Sequence, residues 1–151
     1  MLRSWHFLST VIGIIFRHPV AGVTLIPILP DGCLVLVRRR DTGRWGLPGG
    51  MIDWGEDIPN TARRELAEET GLNWVGMGRL VGVYSARDRD PRLHSISIAI
   101  EVYAEGAIAV RDTDEISEAR AFPLNALPDG SLSHDHDRQL QDYLNGASTI
   151  A

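Results

Sequence analysis

The spacing Gly50-x5-Glu56-x7-Arg64-Glu65-Leu66-x-Glu68-Glu69-x-Gly71-Leu72 constrains this chain more than any other feature. It predicts a short helix set between two glycine turns. Asp57 is placed to cap the helix, Pro59 suits a first turn where its missing N–H would have no partner, and Gly71 is placed to end it. Ile58, Ala62 and Leu66 recur at four-residue intervals and form the stripe that faces a core. Glu65, Glu68 and Glu69 stand three and four residues apart and converge on another face. An exposed Arg64–Glu68 pair would contribute only about 0.3–0.5 kcal/mol, so helix stability does not account for this much acid. A solvated acidic helix explains the charge but not the spacing, whereas oxygen ligands for a divalent cation explain both.

The 151 residues suffice for one domain with a real core and are too few for two. Net charge is −5, and no block of lysines or arginines is long enough to track a phosphate backbone, which argues against a nucleic-acid polymer as partner. The only cysteine, Cys33, lies between Gly32 and an apolar run, and reads as a small buried hydrophobe in the reducing cytoplasm. Residues 5–16 are apolar from Trp5 to Phe16, but the stretch is too short to span a bilayer comfortably. Arg17, His18 and Pro19 follow it where a signal peptide would carry small residues. It reads as a helix packed on the domain or against a second copy in a homodimer, with attachment to a membrane surface as the alternative. The chain thus divides into a segment over residues 1–19 and a single domain over residues 20–151.

Residues 20–30 have strand composition, Pro30-Asp31-Gly32 supplies a turn, and residues 33–37 read as the returning strand, ending in Arg38, Arg39 and Arg40. The glycines of Trp45-Gly46-Leu47-Pro48-Gly49-Gly50 permit a tight turn through which backbone can approach a ligand. Residues 80–85 and 96–104 read as strands, 112–118 as an acidic loop and 120–123 as a last strand. Ser133 is placed to cap a final helix reaching Leu144. Strands and helices alternate around a mixed sheet, the pattern of a layered α/β domain. Trp45, Trp54 and Tyr84 read as packing residues, and His134 and His136, two apart near a helix start, point apart toward surface or capping roles.

With every fixed position from Gly50 to Leu72 matched, the chain resembles the Nudix hydrolases, and Asp114-Glu115-Ile116-Ser117-Glu118, Phe122-Pro123-Leu124 and His134-Asp135-His136 are similar to that family as well. The resemblance implies an α/β/α sandwich with a mixed central sheet, and hydrolysis of a nucleoside diphosphate linked to another moiety with Mg²⁺, or Mn²⁺ in its place. It implies metal ligands at Glu65, Glu68, Glu69 and the carbonyl of Gly50. Glu65, Glu69 and Glu115 are the implied catalytic residues, with Glu65 and Glu115 both candidates for general base, and Glu56 and Arg64 orient the cluster. Such chemistry needs this much acid because a pyrophosphate repels an attacking water until cations neutralise its oxygens.

Substrate choice has to be read outside this motif. The segment Arg87-Asp88-Arg89-Asp90-Pro91-Arg92-Leu93-His94-Ser95 resembles the corresponding loop of bacterial and archaeal ADP-ribose pyrophosphatases, which implies cleavage of ADP-ribose to AMP and ribose 5-phosphate. Leu93 stands where glycine is expected, and Pro91 lies farther from the motif than the proline of that group. Arg40, Arg44, Arg87, Arg89 and Arg92 are the expected substrate-binding residues, since guanidinium groups grip phosphate bidentately. The alternatives are a nucleoside triphosphate pyrophosphohydrolase and a nucleotide-sugar sensor that kept the fold and lost activity.

Overall fold

Strand β1 (Val20–Ile28) is buried without interruption from Val23 to Pro27, so both of its faces are covered. Leu25 belongs to one apolar cluster and its neighbour Ile26 to the other. Strand β2 (Leu34–Arg39) divides in the same way, Val35 to the first cluster and Leu34 and Leu36 to the second. Helix α1 (Ile58–Thr70) covers the first face with Ala62 and Leu66, and helix α2 (His136–Leu144) covers the second with Leu140. Full burial of a leucine contributes about 1.5–3 kcal/mol, so these stripes dock the helices. The result is an α/β/α sandwich. The computed structural model describes Thr10 and residues 18–151, so the apolar segment read at residues 5–16 lies, apart from Thr10, outside the described residues.

The remaining strands are β3 (Trp45–Gly46), β4 (Gly49–Met51), β5 (Asn73–Tyr84), β6 (Ser95–Glu105), β7 (Ile116–Phe122) and β8 (Thr149–Ile150). They form one eight-stranded mixed sheet in the order β3-β2-β1-β6-β5-β8, with β4 also paired to β1 and β7 to β2. β1 runs parallel to β6 from Val20↔Ser95 to Ile28↔Tyr103. β1 and β2 meet only beside their turn, at Ile28↔Leu34. Farther along β1, β4 takes the place of β2, pairing Val23 with Gly50 and Thr24 with Gly49, and Leu25 N–H donates to Pro48 O at 2.8 Å. That exchange of partners fixes the glycine turn against the middle of the sheet.

Helix α1 has the expected ends. Asp57 Oδ1 accepts the Asn60 N–H at 2.9 Å, and Gly71 turns left-handed at φ 75° with its N–H on Ala67 O at 3.0 Å. Four expectations need correction. Cys33 is only half-buried, because it sits on the turn before the core begins at Leu34. β5 begins at Asn73 rather than near Leu80, its glycine-rich start crossing irregular register at Trp74/Gly76 and Met77/Leu80. β7 begins at Ile116, inside the segment read as an acidic loop, because fully buried Ile116 pairs with Arg39. Asp135, not Ser133, holds the cap position of α2, while the Ser133 hydroxyl bonds Thr42 Oγ1 at 2.9 Å. No helix among the described residues is long and apolar enough to cross a membrane.

Candidate active site

The glycine turn and α1 form the centre of the site. Gly50 lies directly over Glu65, so close that a Cβ at position 50 would overlap that carboxylate. Gly49 N–H donates to Glu69 Oε2 at 2.9 Å, tying the turn to the helix beneath it. Arg64 gathers the other acids. Its Nε and Nη2 grip Glu56 Oε1 and Oε2, each at 3.0 Å, and Nη1 reaches Glu65 Oε1 at 2.7 Å and Glu68 Oε2 at 3.3 Å. Nη2 also donates to Met51 O at 3.2 Å, so the guanidinium ties α1 to β4 as well. The planar fork of arginine is what allows this division of contacts.

Glu65, Glu68 and Glu69 are not equally placed on their face of α1. Glu65 and Glu68 line the open side, whereas Glu69 is 2% exposed and turned beneath Gly49. Among the described residues no three acidic, histidine or cysteine side chains close into a ready-made metal cage. Arg64 Nη1 stands between Glu65 and Glu68, and neutralising like charges in this way is cheaper than crowding them. Burial pushes the Glu69 carboxyl up to about 8 against the opposing Gly49 hydrogen bond, and the neighbouring Glu65 adds to the rise. Glu65 is raised too, by burial first, with Arg64 opposing. The hydrogen bonds of Arg64, helped by the Thr61 hydroxyl at 2.8 Å, hold Glu56 down at about 2. The cluster therefore contains a firmly ionised anchor and two carboxylates whose charge is costly without a cation.

A divalent cation is the group implied here, and the residues fit it. The donors are all oxygens, Gly50 leaves the space above Glu65 free of side chain, and burial first, then neighbouring carboxylates, raises both Glu65 and Glu69.

A cleft of about 700 Å³ opens from this cluster across β1 and β6 to the start of α2. Glu115 lines it from the loop before β7, its side chain 62% exposed and its Oε2 3.9 Å from Arg39 Nη2. Of the expected substrate-binding arginines, Arg40, Arg89 and Arg92 line the cleft, and Arg44 and Arg87 do not. Arg89 donates to Asp135 Oδ1 at 2.8 Å, and Arg92 is paired with Asp90 at 3.0 Å and Asp41 at 3.2 Å. Burial works against the Asp90 charge, yet the Arg92 guanidinium holds that carboxyl at about 2.

Sequence reasoning missed both histidines, which line the cleft instead of facing solvent. The spacing argument placed both on one helix. His134 precedes α2, however, and its φ of 54° turns its ring back to within 5.7 Å of the His136 ring. Such a φ is uncommon outside glycine, although histidine, like asparagine and aspartate, adopts it more readily than other residues. Their occurrence in His134-Asp135-His136 was the available signal. Trp45 stacks edge-on against Phe122 at 5.1 Å and Tyr84 donates to Asp142 at 2.8 Å; neither lines the cleft.

A loop, helix and loop carrying these carboxylates, set against a mixed sheet beside a wide cleft, define a hydrolase of phosphoric anhydrides. Residues 18–143 match the NUDIX domain, and the chain belongs to the Nudix family. It is similar to an ADP-ribose pyrophosphatase of Methanocaldococcus jannaschii, 38% identical over 133 residues that make up 86% of this chain and 76% of that protein. An RNA pyrophosphohydrolase of Caulobacter vibrioides is 46% identical over 70 residues, 44% of this chain and 40% of that protein. The NUDIX domain of Shewanella oneidensis NrtR, solved with ADP ribose, has the same fold: TM-score 0.76 at 23% identity, over 87% of this chain and 90% of that one.

Proposed function

We propose that the chain hydrolyses a nucleoside diphosphate linked to a sugar, with ADP-ribose cleaved to AMP and ribose 5-phosphate as the leading case and Mg²⁺ as the cation. The observation that carries this reading is the joining of the carboxylate cluster and the β5–β6 loop arginines in one cleft. The 38% identity to a protein named ADP-ribose pyrophosphatase supports it.

Glu65, Glu68, Glu69 and the carbonyl of Gly50 would hold Mg²⁺, which neutralises phosphate oxygens and favours ionisation of a bound water. Arg64 and Glu56 keep the helix face in register with the glycine turn. Arg40 faces the cleft with its Nε on Thr113 O at 2.6 Å, leaving the rest of the guanidinium to meet phosphate. Water attacks one phosphorus, the bridging P–O bond breaks, and the water's proton passes to a carboxylate. Glu115, exposed on the cleft wall, is the base best placed to release that proton to solvent; Glu65, committed to Arg64, is the other candidate.

Purified protein with Mg²⁺ should release AMP and ribose 5-phosphate from ADP-ribose, with products identified by phosphorus NMR in ¹⁸O water to show which phosphorus is attacked. Removal of Mg²⁺ by a chelator should abolish turnover, and its return should restore it. Failure to cleave any of a panel of nucleotide sugars, dinucleotides and nucleoside triphosphates would sink the proposal.

A further inference from the structure

The cleft has a second polar end, built by β1, β6 and the start of α2. Thr24 Oγ1 and Ser97 Oγ, both buried, lie 2.6 Å apart across the parallel pair. Arg89 Nη2 donates to Ser95 Oγ at 2.5 Å while Nη1 is held by Asp135. His136 completes this end. Its Nδ1 accepts the Leu47 N–H at 3.0 Å, which leaves the ring proton on Nε2. Among the described residues Nε2 has no hydrogen-bond partner, and the ring lines the cleft. Gly46 admits the ring, since a Cβ there would come within 3.0 Å of Nδ1.

Charge is nearly balanced here. Arg39 gives Nε and Nη2 to Asp41, each at 3.0 Å; Arg89 is held by Asp135, and Arg92 by Asp90 and Asp41. Of the arginines lining the cleft, only Arg40 has no carboxylate partner among the described residues. A further phosphate would find little free positive charge. No phenylalanine, tyrosine or tryptophan lines the cleft among the described residues, so a base has no such ring to stack on. Hydroxyl groups fit better, because the free Nε2–H and the serine and threonine oxygens complement them without charge.

We propose that His136 is a specificity-determining residue whose Nε2–H donates to a hydroxyl of the sugar beyond the diphosphate, favouring nucleoside diphosphate sugars over nucleoside triphosphates. The proposal rests on the functional reading above and names what the far end of its cleft selects. The donor persists across ordinary pH: burial first, then the charges of His134, Arg39 and Arg89, hold His136 near 3 against the pull of Asp90.

The test compares ADP-ribose with ATP in Mg²⁺-dependent kinetics on the wild type, His136→Ala and His136→Gln. Wild type should favour ADP-ribose. Loss of one neutral hydrogen bond should raise the ADP-ribose KM of His136→Ala about five- to tenfold, leaving kcat and the ATP KM within about twofold. His136→Gln, whose amide can present an N–H in a similar place, should recover most of the loss. The ratio of the His136→Ala to the wild-type KM for ADP-ribose should stay constant from pH 5.5 to 8.5, since Glu69 acts on both proteins alike. A wild-type preference for ATP, equal KM changes for both substrates, or a ratio that titrates with histidine in that range would each overturn the proposal. Calorimetric titration with ADP-ribose and ADP in chelator separates it from the hydrolase reading. If nothing is cleaved in the presence of Mg²⁺, yet in chelator ADP-ribose binds more tightly than ADP only when His136 is present, the hydrolase reading falls and this proposal stands; equal binding overturns it.

Discussion

Replacing Glu69 by glutamine isolates the cost of the carboxylate beneath the glycine turn. The side chain is buried and accepts the Gly49 N–H at 2.9 Å, a bond that a glutamine carbonyl can keep. In the unfolded chain the carboxyl titrates near its ordinary 4.5, and in the folded chain near 8. Between those values the folded protein holds a proton that the unfolded chain has released, so stability falls as pH rises, by about 1.4 kcal/mol per pH unit. The full loss would reach about 5 kcal/mol near pH 8 and then level off; relaxation around the charge should reduce it to about 2–4 kcal/mol. Urea unfolding of chelator-treated wild type and Glu69→Gln at pH 5, 7 and 9 measures the difference. The two should nearly coincide at pH 5, and the glutamine variant should be the more stable by about 2–4 kcal/mol at pH 9. Added Mg²⁺ should narrow that gap by stabilising only the carboxylate form. Stability curves that stay parallel from pH 5 to 9 would refute the reasoning.

Three further outcomes are expected. Gly50→Ala places a Cβ against the flexible end of Glu65, so kcat should fall about 100-fold while circular-dichroism melting shifts by less than about 3 °C. Arg64→Lys keeps a charge but loses the two-point grip on Glu56, and denaturant titration should show a loss of about 1–3 kcal/mol. Arg40→Ala should raise KM about tenfold, whereas Arg44→Ala and Arg87→Ala, outside the cleft, should stay within about twofold in steady-state assays.

Local rules carried the reading where the chain itself supplies the partners. Asp57, Pro59 and Gly71 mark the ends of α1, and Ala62 and Leu66 mark its buried face, because capping and four-residue spacing act within a few residues. The reading failed where partners are distant. The start of β5 depends on β6 and that of β7 on β2, and neither pairing leaves a strong local pattern. The carboxylate motif located Glu65, Glu68 and Glu69 on α1, but not that Glu69 turns inward to Gly49. Arg40 and Arg44 look equivalent in sequence, yet only Arg40 reaches the cleft. His136 reads in sequence as a surface or capping residue because what turns it into the cleft is its bond with Leu47, a contact 89 residues away along the chain.

The exchange of β2 for β4 along β1 makes that one strand a shared spine for two workshops. Its β4 edge fixes the glycine turn and, through Gly49 and Arg64, the acids of α1. Its β6 edge carries the serine row and the root of the β5–β6 loop. A family built this way can redraft the loop after Tyr84 without recalibrating the turn at Gly49, since among the described residues no hydrogen bond joins those two segments. On the reading proposed above, change in what is cut and constancy in how it is cut belong to opposite sides of a single strand.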